Sequence, residues 1–337
     1  MSAPAPAAAV TPAPAPAPAP LLDDIADGPP GGQAWWLTAA DGVRIRVGLW
    51  LPAERTEAAA GTVLLFPGRT EYIEKYGRAA RELARHGLAT FAIDWRGQGL
   101  AERLLADPLA GHVGRFGDYQ HDVAAMVQAA AARALPRPWF LLGHSMGGGI
   151  GLRAAMQGLP VAGCVFSGPM WGIKLSPLLR PLAWPLARGA CLVGLGHRYA
   201  PGTDARGYVL SQPFENNALT GAREMYAHMI AQLRAHPELA LGGPTLHWLH
   251  EALSETRALA RRPAPPLPCL TVMGAREEIV DPRRIRARMA AWPGGRLEIV
   301  AGGRHEVLME DADTARRLFD MIAAFCQGCR GAARPPA

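Results

Sequence analysis

The feature that most restricts the fold of this chain is the stretch Gly143-His144-Ser145-Met146-Gly147. It follows an apolar run at 139–142 that is typical of a buried strand, and it opens a run at 146–157 that is typical of a helix. In this setting the glycines predict a sharp strand-to-helix turn, because a side chain at 143 or 147 would collide with neighbouring backbone. The turn would lift the Ser145 hydroxyl above the sheet edge and point a helix N-terminus at it. We therefore predict that Ser145 is a catalytic nucleophile.

A glycine-rich strand-to-helix turn can also cradle a phosphate group. That reading needs a Walker lysine or a G-x-G-x-x-G spacing after the first strand, and this chain has neither. The nucleophile interpretation is therefore preferred.

Predicted strands and helices alternate along most of the chain. The strands are expected at 35–38, 43–51, 62–66, 88–94, 139–142, 161–167, 267–273 and 296–300, and helices at 73–85, 116–134 and 146–157. This alternation indicates an α/β fold whose mostly parallel central sheet is covered by helices on both faces. Residues 34–168 and 256–330 would form this core.

Two segments depart from that alternation. Residues 2–20 are almost entirely alanine and proline, and proline prevents a regular helix, so residues 1–33 are expected to be a disordered tail. Residues 169–255 contain no obvious buried strand but many leucines and tryptophans, so we expect an inserted helical lid there.

A serine hydroxyl needs a base that accepts its proton. In α/β-hydrolases the triad occurs in the order serine, acid, histidine, and His305 is the histidine that follows the last predicted strand. His144 is expected to point away from the site as a packing residue. The acid should follow the strand at 267–273, where Glu277, Glu278 and Asp281 compete. Glu277 is favoured by its position; Asp281 is the main alternative, although its place before Pro282 suits a helix cap.

An oxyanion intermediate needs two backbone donors. The first is expected to be the amide of Met146, directly after the nucleophile, and the second the amide of Arg69, after Pro67-Gly68.

Composition limits the partners. The net charge of +6 comes from scattered arginines, with lysine only at Lys75 and Lys174, so no basic block predicts nucleic-acid binding. Residues 1–20 lack the features of a secretory signal, no apolar stretch is long enough to span a bilayer, and the five cysteines form no disulfide framework. We expect a cytoplasmic protein with no metal or organic cofactor. A second expectation is peripheral contact with the inner face of the membrane through the apolar stretch 178–196 of the lid.

The chain resembles the bacterial lysophospholipase L2-like and monoacylglycerol lipase branch of the α/β-hydrolases over residues 34–328. The resemblance rests on Phe66-Pro67-Gly68-Arg69-Thr70-Glu71-Tyr72-Ile73-Glu74-Lys75-Tyr76-Gly77, Asp94-Trp95-Arg96-Gly97-Gln98-Gly99, Gly111-His112-Val113-Gly114-Arg115-Phe116 and Gly143-His144-Ser145-Met146-Gly147-Gly148. It differs from the wider branch in having Pro67-Gly68 instead of His-Gly, and Glu277 at a position usually occupied by aspartate.

The resemblance implies Ser145, His305 and Glu277 as the triad, the amides of Arg69 and Met146 as the oxyanion hole, and a small lipid ester as substrate. The expected activity is hydrolysis of the acyl ester of a lysophospholipid or monoacylglycerol through an acyl-serine intermediate. The alternatives are a general carboxylesterase, an acyltransferase, or a non-catalytic ligand-binding protein on the same fold.

Overall fold

A central sheet organises the computed structural model, which describes residues 16–52, 60–175 and 180–332. The strands of these residues are β1 (Pro18–Ala19), β2 (Gln33–Thr38), β3 (Arg44–Trp50), β4 (Gly61–Phe66), β5 (Leu88–Asp94), β6 (Trp139–His144), β7 (Cys164–Ser167), β8 (Cys269–Gly274) and β9 (Arg296–Val300). Their order in the sheet is β1-β2-β3-β5-β4-β6-β7-β8-β9. The strands from β5 to β9 in that order pair in parallel, whereas β1, β2 and β3 form an antiparallel edge.

Helices connect the strands. They are α1 (Asp23–Ala26), α2 (Gly77–Arg85), α3 (Tyr119–Ala132), α4 (Ser145–Met156), α5 (Arg180–Leu192), α6 (Tyr208–Ser211), α7 (Arg223–Ala235), α8 (Leu246–Ala260), α9 (Pro282–Ala290) and α10 (Ala312–Ala332). Short 3₁₀ turns lie at Ile73–Tyr76, Phe116–Asp118, Phe214–Asn216, Pro237–Leu239 and Val307–Met309.

Each face of the sheet has its own core. Along β4, Leu64 and Phe66 join one apolar cluster while Val63 and Leu65 join the other, as the two-residue side-chain period of a strand requires. Helices α3, α4, α8 and α9 contribute to the first cluster, and α2 and α10 to the second. This is the predicted architecture of a mostly parallel sheet with helices on both faces.

The N-terminal tail prediction is wrong for residues 16–33. Pro18 and Ala19 of β1 pair with Trp35 and Ala34 of β2, and α1 follows. Proline is tolerated there because β1 is an edge strand, where a missing N–H leaves no ladder position unpaired. The chain is also anchored by the Pro20 carbonyl, which accepts a hydrogen bond from Arg46 Nη1 at 2.9 Å. Residues 1–15 lie outside the described part of the chain.

The predicted lid segment is helical where it is described. Between β7 and β8 the chain forms α5, α6, α7 and α8 with two 3₁₀ turns and no strand among the described residues. Helices α5 and α8 pack together, and Trp184 Nε1 of α5 donates to Ser254 Oγ of α8 at 2.9 Å. Residues 176–179, which include the predicted lid residues Leu178 and Leu179, lie outside the described residues.

Candidate active site

Ser145 lies at the turn between β6, which ends at His144, and α4, which begins at Ser145 itself. Its φ is 49°, a left-handed conformation that non-glycine residues rarely adopt. A Cβ built at Gly147 would clash with the carbonyl oxygen of Phe66, and one at Gly143 would lie 2.9 Å from the carbonyl oxygen of Gly147. The predicted need for glycine at both positions is confirmed.

His305 and Glu277 form a buried pair. His305 Nδ1 lies 2.7 Å from Glu277 Oε2, and both side chains are almost fully buried. The other carboxylate oxygen accepts from the amides of Ile279 and Val280 at 2.7 and 3.1 Å. Burial acts to raise the pKa of Glu277, but the charge and hydrogen bond of His305, together with these two amides, lower the pKa overall. The arrangement keeps an ionised carboxylate against the imidazole ring.

The other two acid candidates are placed differently. Asp281 is the N-cap of α9 and accepts from the amide of Arg283 at 3.0 Å, with Pro282 in the first turn. Glu278 is exposed. Of the three carboxylates, the structure brings Glu277 to His305.

Ser145 and His305 line one cavity of about 260 Å³. Because Nδ1 of His305 faces Glu277, the nitrogen that remains to accept a proton from Ser145 is Nε2. Among the described residues, no hydrogen bond joins Ser145 Oγ to the His305 ring. The distance between a catalytic nucleophile and its base often shortens to a hydrogen bond only when substrate binds.

Of the two predicted oxyanion residues, Arg69 lines the same cavity as Ser145, and Met146 follows Ser145 directly in the chain. Neither the amide of Arg69 nor that of Met146 donates to another group among the described residues. The loop that carries Arg69 is held by Trp95 Nε1, which donates to the Pro67 carbonyl at 2.9 Å, and by Gln98 Nε2, which donates to the Gly68 carbonyl at 2.7 Å. Thr70, the next residue, has a φ of 68°, a strained conformation for a β-branched side chain.

The Arg69 side chain extends away from its amide and has no carboxylate partner among the described residues. Its Nη1 donates to the Gly242 carbonyl at 2.9 Å, and its guanidinium lies 5.6 Å from the centre of the Trp248 ring. Desolvation lowers the pKa of Arg69 to about 10. Arg46, Arg96 and Arg153, by contrast, each form ion pairs with buried carboxylates.

The walls of the cavity are largely apolar. The side chains that line it beside Ser145 and His305 include Tyr72, Tyr208, Val209, Leu219, Met229, Leu233 and Ile279. Five of these, from Tyr208 to Leu233, belong to the segment between β7 and β8. The cavity therefore offers an apolar surface next to the serine.

A charged cluster that sequence analysis missed forms part of the wall of this cavity, which Glu71, Lys75 and Glu306 help to line. Lys75 Nζ lies 2.5 Å from Glu71 Oε1 and 2.6 Å from Glu306 Oε1, and His144 Nε2 lies 3.3 Å from Glu306 Oε2. Glu71, His144 and Glu306 could together ligate a cation, but the Lys75 ammonium already lies between the two carboxylates. Two sequence features could have indicated this cluster: Lys75 is one of only two lysines in the chain, and Glu306 directly follows His305.

Comparison with known proteins decides the family. The Hydrolase_4 family, described as serine aminopeptidase S33, matches residues 57–312. This chain belongs to that family. The α/β-hydrolase fold, the enzyme class of ester hydrolases and the resemblance stated above are confirmed.

Several named proteins are similar to this Hydrolase_4 member. Lysophospholipase L2 of Escherichia coli strain K12 is 36% identical over 264 residues, which cover 74% of this chain and 75% of that protein. Monoglyceride lipase of Saccharomyces cerevisiae is 25% identical over 285 residues, covering 81% and 86%. The crystal structure of a soluble variant of monoglyceride lipase from S. cerevisiae with a substrate analogue superposes with a TM-score of 0.69 at 20% identity, covering 87% of this chain and 94% of that one.

Within the described residues, no helix of this hydrolase combines the length and the apolar character needed to cross a bilayer.

Proposed function

We propose that this protein hydrolyses the acyl ester of a lysophospholipid or a monoacylglycerol through an acyl-serine intermediate. The observation that carries the proposal is the buried Glu277–His305 pair, 2.7 Å apart, whose histidine lines the same largely apolar cavity as Ser145. The names of the relatives, lysophospholipase L2 and monoglyceride lipase, support the same substrate classes.

In the proposed acylation step, Ser145 Oγ attacks the ester carbonyl and His305 Nε2 takes the hydroxyl proton. Glu277 fixes the tautomer with the proton on Nδ1 and stabilises the imidazolium that forms. The carbonyl oxygen becomes an oxyanion that accepts hydrogen bonds from the amides of Arg69 and Met146. His305 then donates its proton to the leaving alcohol, the lysophospholipid or glycerol head group.

In the proposed deacylation step, water replaces the alcohol. His305 takes a proton from the water, and the water oxygen attacks the acyl carbonyl. The same two amides stabilise the second oxyanion. Collapse of this intermediate breaks the bond to Ser145 Oγ, which recovers its proton from His305. The fatty acid leaves and the free enzyme is restored.

The side chain of Arg69 supports a phosphate-bearing substrate. Its guanidinium is half-buried, has no carboxylate partner among the described residues, and belongs to the residue whose amide would hold the oxyanion. In a lysophospholipid the phosphate is separated from the acyl ester only by the glycerol carbons. An arginine fork suits phosphate oxygens. We therefore propose lysophospholipids as the preferred class and monoacylglycerols as the secondary one.

We also propose the lid predicted from sequence, a helical segment at 169–255 on a core of 34–168 and 256–330, to which β1 and α1 add residues N-terminal to position 34. The apolar side chains that this segment contributes to the Ser145 cavity support a lid role. Several of its other leucines face outward: Leu182, Leu186 and Leu192 are 54%, 60% and 76% exposed, and Val193 is 70% exposed. Exposed apolar side chains of this kind, close together along one helix and the residue after it, suit a lipid surface, so we propose peripheral membrane contact through α5 and Val193.

The test is a comparison of hydrolysis rates on lysophospholipids, monoacylglycerols and nitrophenyl esters of increasing chain length. We expect the highest kcat/KM for a lysophospholipid. A clear preference for two-carbon esters would indicate a general carboxylesterase instead, and transfer of the acyl group to an added alcohol in preference to water would indicate an acyltransferase.

A further inference from the structure

Four buried charged side chains form one cluster next to the proposed triad. We call Glu71, Lys75, His144 and Glu306 the Lys75 network. Lys75 Nζ bridges the two carboxylates at 2.5 and 2.6 Å, and His144 Nε2 lies 3.3 Å from Glu306 and 3.6 Å from Glu71. Each side chain is at most 6% exposed.

Three members of the Lys75 network each contact or adjoin a different catalytic segment. Glu71 Oε2 accepts the amide of Gly68, directly before the proposed oxyanion residue Arg69. His144 precedes Ser145 in the chain, and Glu306 follows His305. The imidazole rings of His144 and His305 are 4.9 Å apart. The three segments that must be aligned for acyl transfer are therefore linked through the two carboxylates that Lys75 bridges.

The two carboxylates favour the protonated form of both bases in the network. Burial acts to lower the pKa of His144, but Glu306 and Glu71 raise it overall. Burial likewise acts to lower the pKa of Lys75, and the same two carboxylates raise it. Loss of one partner would leave an uncompensated buried charge that the surrounding backbone must move to accommodate.

We infer that the Lys75 network positions the oxyanion loop, the nucleophile and the catalytic histidine relative to one another. This inference rests on the proposed function, because it assigns no new chemical step. Lys75, Glu71, His144 and Glu306 are positioning residues that act through their chain neighbours. A network used only for stability has no reason to connect these three segments, since apolar packing would serve as well or better.

The test replaces Lys75 with methionine, which keeps the length of the side chain and removes its charge. The matched control is Glu74→Gln, one residue away on the same 3₁₀ turn, where Glu74 forms a buried ion pair with Arg46 at 2.7 Å and does not line the Ser145 cavity. We expect Lys75→Met to lower kcat on a soluble nitrophenyl ester by roughly 10²-fold, as small misplacements of reacting groups do, with little change in KM. The rate of fluorophosphonate labelling should fall in parallel.

The control should lose thermal stability but keep nearly the parental kcat, and Lys75→Arg, which keeps the charge, should recover much of the lost rate. If Lys75→Met does not fold, Glu306→Gln serves in the same assays. Parental kcat and labelling in a folded Lys75→Met protein would overturn the inference, as would equal kcat losses in Lys75→Met and Glu74→Gln, or failure of both network variants to fold. A parent protein that neither hydrolyses esters nor reacts with the probe would instead refute the proposed function.

Discussion

Replacement of Glu277 by glutamine tests the proposed acid most directly, because the surroundings of Glu277 determine which way the new amide can point. Glu277 Oε1 accepts from the amides of Ile279 and Val280, while Oε2 faces His305 Nδ1. In Glu277→Gln, the amide oxygen is favoured on the side of the two backbone donors. The reverse orientation would place the glutamine NH₂ against the N–H groups of Ile279 and Val280, so that donors would face donors. The glutamine NH₂ then faces Nδ1. His305 must accept at Nδ1 and carry its proton on Nε2, where it can no longer accept the Ser145 proton.

The size of the effect follows from that tautomer change. An equivalent acid-to-amide change in a serine-protease triad lowers kcat by about 10⁴. We expect a fall of roughly 10³–10⁴ here, which corresponds to about 4–5.5 kcal/mol in the activation barrier. The fold should survive, because glutamine preserves the volume of the side chain and the bonds to Ile279 and Val280.

The assay is kcat on a soluble nitrophenyl ester, with thermal melting to verify the fold. Asp281→Asn is the matched control, because asparagine also caps a helix, so the variant should cost much less in kcat than Glu277→Gln and should affect mainly stability. The reasoning fails if folded Glu277→Gln stays within about tenfold of the parent, well short of a triad effect. The role would move to Asp281 if the ranking of the two variants were reversed.

Three further predictions concern the nucleophile, the head group and the lid. Ser145→Ala should lower kcat by on the order of 10⁵–10⁶ and abolish fluorophosphonate labelling, and labelling of the folded variant would refute the assignment. Arg69→Met should reduce kcat/KM on a lysophospholipid by roughly 10- to 100-fold more than on a monoacylglycerol, which is the free energy of a hydrogen bond to a charged group expressed as a rate ratio. Equal losses on the two substrates would indicate that the Arg69 side chain only holds its loop in place. Leu186→Asp and Leu192→Asp should weaken sedimentation with anionic vesicles by about tenfold or more without affecting a soluble ester, and absence of binding by the parent at low salt would exclude the interfacial role.

Local signals in the sequence were sufficient for the strands from β2 to β9 and for the nucleophile turn. The strand predicted at 88–94 is found at Leu88–Asp94, and the one predicted at 62–66 at Gly61–Phe66. These strands are buried on both faces, so their apolar runs are continuous and bounded by clear breaks. The turn at Ser145 was predictable because both of its glycines are required by backbone contacts a few residues away or on the adjacent strand.

Features that depend on distant partners were not predictable in this way. Lys75 and Glu306 are 231 positions apart, and the helix predicted at 73–85 gives no indication that its lysine is buried against a carboxylate next to His305. The same holds for residues 16–33, whose prolines disfavour regular structure locally while pairing with β2 and a contact with Arg46 hold them in place. His144 is a third case, since its neighbours in the chain give no indication that two carboxylates lie within 3.6 Å.

The order of the strands explains why the candidate site forms at all. Strands β6, β7, β8 and β9 are consecutive neighbours in parallel, so the residues that follow them meet at one edge of the sheet: Ser145 after β6, Gly168 after β7, Glu277 after β8 and His305 after β9. Gly168 was not singled out by its sequence, yet its φ is 48°, and a Cβ there would lie 3.2 Å from His305 Nδ1 and 3.3 Å from Glu277 Oε2. A side chain at position 168 would therefore press on the hydrogen bond between the proposed base and acid. The loop after β7 must carry glycine so that the residues that follow the next two strands, β8 and β9, can reach each other.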